Sequence, residues 1–395
     1  MRLSACVLAA VLFAGPVHAA PKLARLDGTP LTPAGIDAEV TRLMAANDVK
    51  GLAVALIRDG RVVYVKAYGR RDVEKDLPLT TDTVMYGASL TKATFAYMVM
   101  QLADEGRINL DASIATYLPK PLPDYAKYAD LTGDDRWRKL TPRILLDHTT
   151  GFNNFRWLDS DEKLRFHRDP GARYGYSGEG VNLMQFVLEE GMGLDVGAEM
   201  QRRVFDRFGM TRTSLTWRDD FAANVTTGYD LTGAPNPHHK RGSVRAAGSM
   251  DTTVSDWSRF LAGVARGEGL SAKARREMLG RQIAIDSLVQ FPSLTEERTN
   301  ANAAIKLGYG IGWGVFETPF GHAFFKEGHD DDTANFGLCV EPRRACLLLM
   351  SNSVRAEGIF KPLEDALMGD TRLPWQWLSY RPYDLPASPA PPPGA

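Results

Sequence analysis

Ser89-Leu90-Thr91-Lys92 opens the most regular amphipathic helical pattern in the chain, with Phe95, Met98, Val99, Leu102 and Ala103 at helical spacing and Gly106 where a helix stops. A separation of three places Ser89 and Lys92 on one face of that helix. A serine there lies at the positive end of the helix dipole, and an amine one turn on can take its proton if burial lowers the amine's pKa. By itself the pattern is weak, because about one Ser-x-x-Lys is expected by chance in a chain of average composition and this size. Ser160-Asp161-Glu162-Lys163 is a second copy. That copy lies in a highly charged stretch with no apolar stripe behind it, so Lys163 is expected to stay solvated and Ser160 to cap a helix.

Outward from Ser89 the pattern changes on both sides. Upstream, a helix is expected over Asp37 to Ala46. Leu52 to Ile57 and Val62 to Tyr68, rich in β-branched residues and separated by Asp59-Gly60, read as a β-hairpin. Residues 82–253 carry mostly helical patterns and loops. Helices near Val254 to Gly267 and Ala272 to Leu279 follow, then strands at Tyr309 to Phe316, His322 to Lys326, Phe336 to Val340 and Ala345 to Met350, and a last helix near Phe360 to Met368. Strands at both ends with helices between them predict an α/β chain: one antiparallel sheet assembled from the two termini, flanked by helices, with the middle as an inserted all-α lobe. The cleft between sheet and lobe is where a ligand site is expected.

The 395 residues are 44% hydrophobic and 24% charged, an ordinary globular composition long enough for two lobes. With 47 Lys plus Arg against 48 Asp plus Glu, the chain lacks the basic excess of a nucleic-acid binder. Arg2, the apolar run Leu3 to Gly15 and Val17-His18-Ala19 read as a signal peptide, residues 1–19, cleaved after Ala19, so an exported, periplasmic or secreted protein is expected. No later run is apolar enough for a stable membrane insertion. Residues 20–382 form the expected catalytic domain, and the Pro-rich residues 383–395 a disordered tail. Cys6 leaves with the signal peptide. Cys339 and Cys346 then face each other across Glu341-Pro342-Arg343-Arg344, either as one bridge or as two buried thiols.

Three further features restrict the chemistry. No Gly-x-Ser-x-Gly elbow occurs, which leaves an α/β-hydrolase unsupported. His148, His167, His238, His239, His322 and His329 lack paired metal-ligand spacing, and no Gly-rich phosphate loop is present, so neither a metal nor another cofactor is expected. His148 is read as orienting a loop, and Tyr174, Trp313 and Phe325 as core.

Two segments lift Ser89 above chance: Asp169-Pro170-Gly171-Ala172-Arg173-Tyr174-Gly175-Tyr176-Ser177-Gly178, which sets a tyrosine in a turn, and Lys326-Glu327-Gly328 on a late strand. With Asp147-His148-Thr149-Thr150-Gly151, Gly209-Met210-Thr211-Arg212-Thr213 and Ala246-Ala247-Gly248-Ser249-Met250 in the same order, the chain resembles the serine β-lactamase and penicillin-binding-protein-like family from Leu52 to Asn352, nearest its class C and esterase branch. The resemblance implies a β-lactamase/transpeptidase-like fold. It makes Ser89 the nucleophile, Lys92 its proton acceptor or the charge that activates Tyr176, and Tyr176 the base and later the acid toward the leaving group. A phenol acts as a base at neutral pH only where cations favour phenolate, and Lys92 and Lys326 would be those cations. The backbone N–H groups of Ser89 and His329 would hold the oxyanion, while Gly328 would keep the strand wall low for substrate.

Two positions depart from the family pattern. Gly178 stands where an asparagine amide is usual, and Glu327 where Thr or Ser is usual. Strand alternation could turn Glu327 away from the cleft; otherwise it offsets Lys326. Asp330-Asp331-Asp332 either adds negative potential at the cleft or forms a solvated loop. The sequence reading is an exported serine hydrolase acting on a small ester, amide or β-lactam through an acyl-enzyme. The other reading is a catalytically weak penicillin-binding or ligand-sensing module on the same fold.

Overall fold

A computed structural model describes residues 22–385. The expected signal peptide and all but the first three residues of the expected disordered tail lie outside the described residues. Of those three, Tyr383 donates its N–H to the Gly358 carbonyl at 3.1 Å and Leu385 donates its N–H to the Pro382 carbonyl at 3.2 Å.

The sheet is assembled from both ends of the chain. β1 (Gly51–Arg58), β2 (Arg61–Asp72) and β3 (Leu77–Pro78) come first, and β4 (Ile283–Ala284), β5 (Gly308–Tyr309), β6 (Gly314–Thr318), β7 (Gly321–Asp330), β8 (Thr333–Val340) and β9 (Ala345–Ser351) follow. They form a nine-stranded antiparallel sheet in the order β3-β2-β1-β9-β8-β7-β6-β5-β4. The join is β1 against β9, with Leu52 opposite Ser351 and Ile57 opposite Cys346. Both strands are buried at every position, as befits a sheet covered on both faces. The run expected as one strand over Tyr309 to Phe316 is broken into β5 and β6 by Gly310-Ile311-Gly312, where a Cβ on Gly312 would lie 2.3 Å from the Ala96 side chain.

Alternation sorts the core into two. Leu52, Val54 and Leu56 join Val40, Leu43, Ile359 and Leu363 on one face, where α1 (Pro33–Ala46) packs. Ala53, Ala55 and Ile57 face the other side, with the central helix α2 (Leu90–Asp104), α3 (Gly178–Phe186), α4 (Val254–Arg266), α5 (Ala272–Leu279) and the mostly helical lobe. That lobe is not all-α as expected, because Met85–Tyr86 pairs with Asp251–Thr252 and Gly228–Tyr229 with Pro235–Asn236. The last helix, α6 (Glu357–Leu367), lies with α1. α1 begins four residues before the expected start because Thr32 caps it and Pro33 suits its first turn. Cys339 and Cys346 are a registered pair on β8 and β9 and are disulfide-bonded.

α2 corrects the amphipathic reading. Every residue from Leu90 to Leu102 is buried, including Thr91, Lys92, Thr94 and Gln101. An element enclosed between sheet and lobe needs no polar face; its few polar groups find local acceptors, as Thr94 Oγ1 does at the Leu90 carbonyl, 3.0 Å away.

Candidate active site

The turn into α2 fixes Ser89. Ala88, just before it, sits in the left-handed region at φ 45°, a conformation that costs a residue with a Cβ and persists only where its surroundings enforce it. They do so here through Thr91 Oγ1, which donates to the Ala88 carbonyl at 2.6 Å and accepts the Met250 N–H at 3.2 Å. Ser89 occupies the N-cap of α2, yet its hydroxyl caps nothing. It faces Lys92 Nζ at 2.9 Å instead, and Lys92 Nζ also donates to the Ala247 carbonyl at 2.6 Å. Burial, then the charges of Lys326 and Arg245, hold the Lys92 amine well below the usual lysine range.

Tyr176 reaches the same point from the turn before α3. Ser177 caps α3 by accepting the Gly180 N–H at 3.1 Å, and its own N–H donates to His148 Nδ1 at 3.1 Å. His148, itself at φ 61°, lays its ring on that of Tyr176 with centroids 4.3 Å apart, so it does orient this turn. Lys326 Nζ donates to the Tyr176 hydroxyl at 3.1 Å, and Lys92 Nζ stands 5.0 Å from the Tyr176 ring. Four side chains from α2, the α3 turn and β7 thus converge on one point.

The expectation that cations favour the Tyr176 phenolate meets an opposing effect. Burial, and next the Glu327 carboxylate, push the phenol well above 10, against the opposing hydrogen bond with Ser89. Burial thus favours the neutral form of both groups, the phenol of Tyr176 and the amine of Lys92.

Gly328 and His329 lie on β7 as expected, but Gly328 has a different reason to be small. A Cβ there would lie 2.6 Å from the Gly87 carbonyl and 3.1 Å from the Leu90 nitrogen, so the glycine lets β7 approach the turn that carries Ser89. The His329 imidazole is half exposed and bonds Glu357 Oε1 at 2.6 Å; burial opposes its charge, but Glu357, Asp330 and Asp331 together raise its pKa.

The sequence model of the family described as Beta-lactamase matches residues 36–367. The chain belongs to the Beta-lactamase family. Curated relatives include Protein flp of Staphylococcus aureus, 22% identical over 83% of this chain and 64% of its own. The D-aminopeptidase of Gluconobacter oxydans is 25% identical over 58% of this chain and 45% of its own, and Esterase EstB of Burkholderia gladioli 30% identical over 44% and 40%. The chain thus spans less than two thirds of the length of these relatives. Among solved structures, the D-alanine carboxypeptidase AmpC of Burkholderia cenocepacia superposes with a TM-score of 0.64 at 19% identity, covering 80% of this chain and 93% of that one. The fold is the β-lactamase/transpeptidase-like one.

Within this Beta-lactamase-family site the departures have structural partners. Glu327 pairs with Phe336, a residue of the α1-side core, so alternation does send it away from the lobe. Its carboxylate nevertheless returns to Lys326, Oε1 lying 2.7 Å from Nζ and accepting from Gln290 Nε2 at 2.9 Å. At position 178 a Cβ would meet the Phe155 ring at 2.4 Å, so an aromatic ring fills the space of the absent side chain. Asp330 and Asp332 line a cavity of about 290 Å³ with Tyr86 and Arg245; Asp330 and Asp331 are both exposed, and Asp332 is partly buried. Ser160 caps nothing: it lies exposed with Lys163 in a loop, far from any helix start. Gln290, Phe155 and the Ala247 carbonyl had no role in the sequence reading. Only Ala247 stood in a quoted motif.

Among the described residues no group of three or more His, Cys, Asp or Glu side chains could hold a metal ion, and no helix is long and apolar enough to cross a membrane.

Proposed function

We propose that the protein is an exported serine hydrolase that cleaves a small ester or amide through an acyl-enzyme on Ser89. The observation that carries this reading is the 2.9 Å contact between Ser89 Oγ and the buried Lys92 amine. With one hydrogen committed to the Ala247 carbonyl and its pKa depressed, neutral Lys92 directs its lone pair at the serine hydroxyl. Lys92 takes the Ser89 proton as Oγ attacks the substrate carbonyl. The carbonyl oxygen becomes an oxyanion beside the N–H groups of Ser89 and His329. Tyr176 gives its phenolic proton to the departing oxygen or nitrogen, and the proton held by Lys92 replaces it. Water then repeats the sequence on the acyl-enzyme and releases the acid.

An esterase and a D-aminopeptidase among the relatives support the ester-or-amide class. The apolar run before Ala19 supports export, and the Cys339–Cys346 bridge suits an oxidising compartment. Intact-mass spectrometry after an activated ester or fluorophosphonate probe tests the reading. Wild type and Ser160→Ala should gain one adduct and Ser89→Ala none; equal labelling of Ser89→Ala would remove Ser89 from the mechanism.

A further inference from the structure

Lys326 is a buried cation with nothing left to offer a ligand. Its side chain is 0% exposed, and its three N–H bonds have three acceptors inside the protein: the Tyr176 hydroxyl at 3.1 Å, the Glu327 carbonyl at 2.9 Å and Glu327 Oε1 at 2.7 Å. Gln290, itself buried, holds the same Oε1 in place. The other carboxylate oxygen, Glu327 Oε2, is buried with no hydrogen-bond partner. Beside the phenol that would protonate the leaving group, the Lys326 cation is therefore already paired with an internal carboxylate. Two aromatic rings lie close by: the Phe291 ring stands 5.3 Å from the Tyr176 ring, Phe291 being 44% exposed, and Phe155 fills the space beside Gly178.

We propose that Glu327 determines substrate specificity here, making the site select esters whose leaving group is uncharged and discriminate against leaving groups that carry a carboxylate. A substrate carboxylate near this point finds no free hydrogen on Lys326, whose charge Glu327 already offsets, and so loses hydration without gaining a partner. A neutral aryl or alkyl group meets Phe291 and Phe155 without that cost. The inference rests on the acyl-enzyme reading and assigns its leaving-group preference.

The test compares phenyl acetate with its 3-carboxyphenyl analogue on wild type, Glu327→Gln and Glu327→Thr. The measured quantity is the ratio of kcat/KM for the two esters on one enzyme sample, so loss of folded or active enzyme cancels. Comparing that ratio between variants also cancels the esters' intrinsic reactivity. The ratio of neutral to anionic ester should fall at least tenfold in both variants, with Glu327→Gln keeping the shape and one acceptor oxygen of the side chain while removing its charge. A ratio unchanged within twofold in both variants would overturn the proposal. Failure of the acyl-enzyme reading looks different: neither ester would be turned over and Ser89 would remain unlabelled.

Discussion

The ring of Phe155 stands where a side chain at position 178 would stand, its Cε1 only 2.4 Å from a Cβ built on Gly178. The two residues are one feature. Gly178 begins α3 directly after the turn that carries Tyr176, and Phe155 lies 5.8 Å from Lys92 Nζ at its ring centroid. Restoring a polar side chain by Gly178→Asn should therefore overpack the site and destabilise the protein by roughly 1–3 kcal/mol. Phe155→Ala alone leaves a cavity. The double variant should be more stable than the sum of the single losses predicts, by about 0.5–3 kcal/mol of coupling. Urea melts of the four proteins measure the cycle, and strict additivity would mean the two positions do not share that space.

The opposite directions of the Lys92 and Tyr176 shifts separate their roles. Lys92 is held below its ordinary range by burial and by Lys326, so its neutral, proton-accepting form appears at lower pH than a solvated lysine allows. Burial pushes Tyr176 well above 10, and in the proposed mechanism it is the acid. kcat/KM for a neutral ester should rise with pH as Lys92 loses its proton. Tyr176→Phe should lower the rate by roughly 100-fold while keeping that acidic limb. Lys92→Met should remove the limb along with the activity. Loss of the acidic limb in Tyr176→Phe would instead make the phenol the proton acceptor.

Strand and helix positions came through the sequence because hydrophobic period and turn residues are local. Asp59-Gly60 marked the β1–β2 hairpin, and Thr253 with Gly267 bracket α4 as cap and left-handed stop. The convergence of Ser89, Lys92, Tyr176 and Lys326 was legible through motif order, since each side chain follows a local signature. What was not legible depends on long-range geometry. Gln290 clamps Glu327 from a loop 37 residues away, and Phe155 fills a space defined by the α3 turn; neither has a periodic or motif signal. Reading α2 as amphipathic failed because enclosure by both sheet and lobe is a property of the assembled fold. Counting the lysines near Tyr176 likewise omits the desolvation that burial of its phenol brings.

Asp147, at the end of the helix before His148, offers a test of the loop that orients Tyr176. Its side chain is 5% exposed, and Oδ1 accepts from the N–H of Thr149 at 3.1 Å and its hydroxyl at 2.6 Å. Burial nevertheless dominates and raises the carboxyl from 3.8 to about 7. A folded-state pKa above the unfolded one means that the native state binds the extra proton between those values, so stability falls as pH rises through that window. The loss can reach about 4 kcal/mol above pH 7 if the full shift is expressed. Asp147→Asn keeps the acceptor oxygen and cannot ionise. Its stability relative to wild type, from urea midpoints, should therefore increase steadily from pH 5 to pH 8. Parallel stability curves for the two proteins over that range would show that Asp147 is already ionised in the folded state at pH 5, and that hydrogen bonds from Thr149 outweigh its burial.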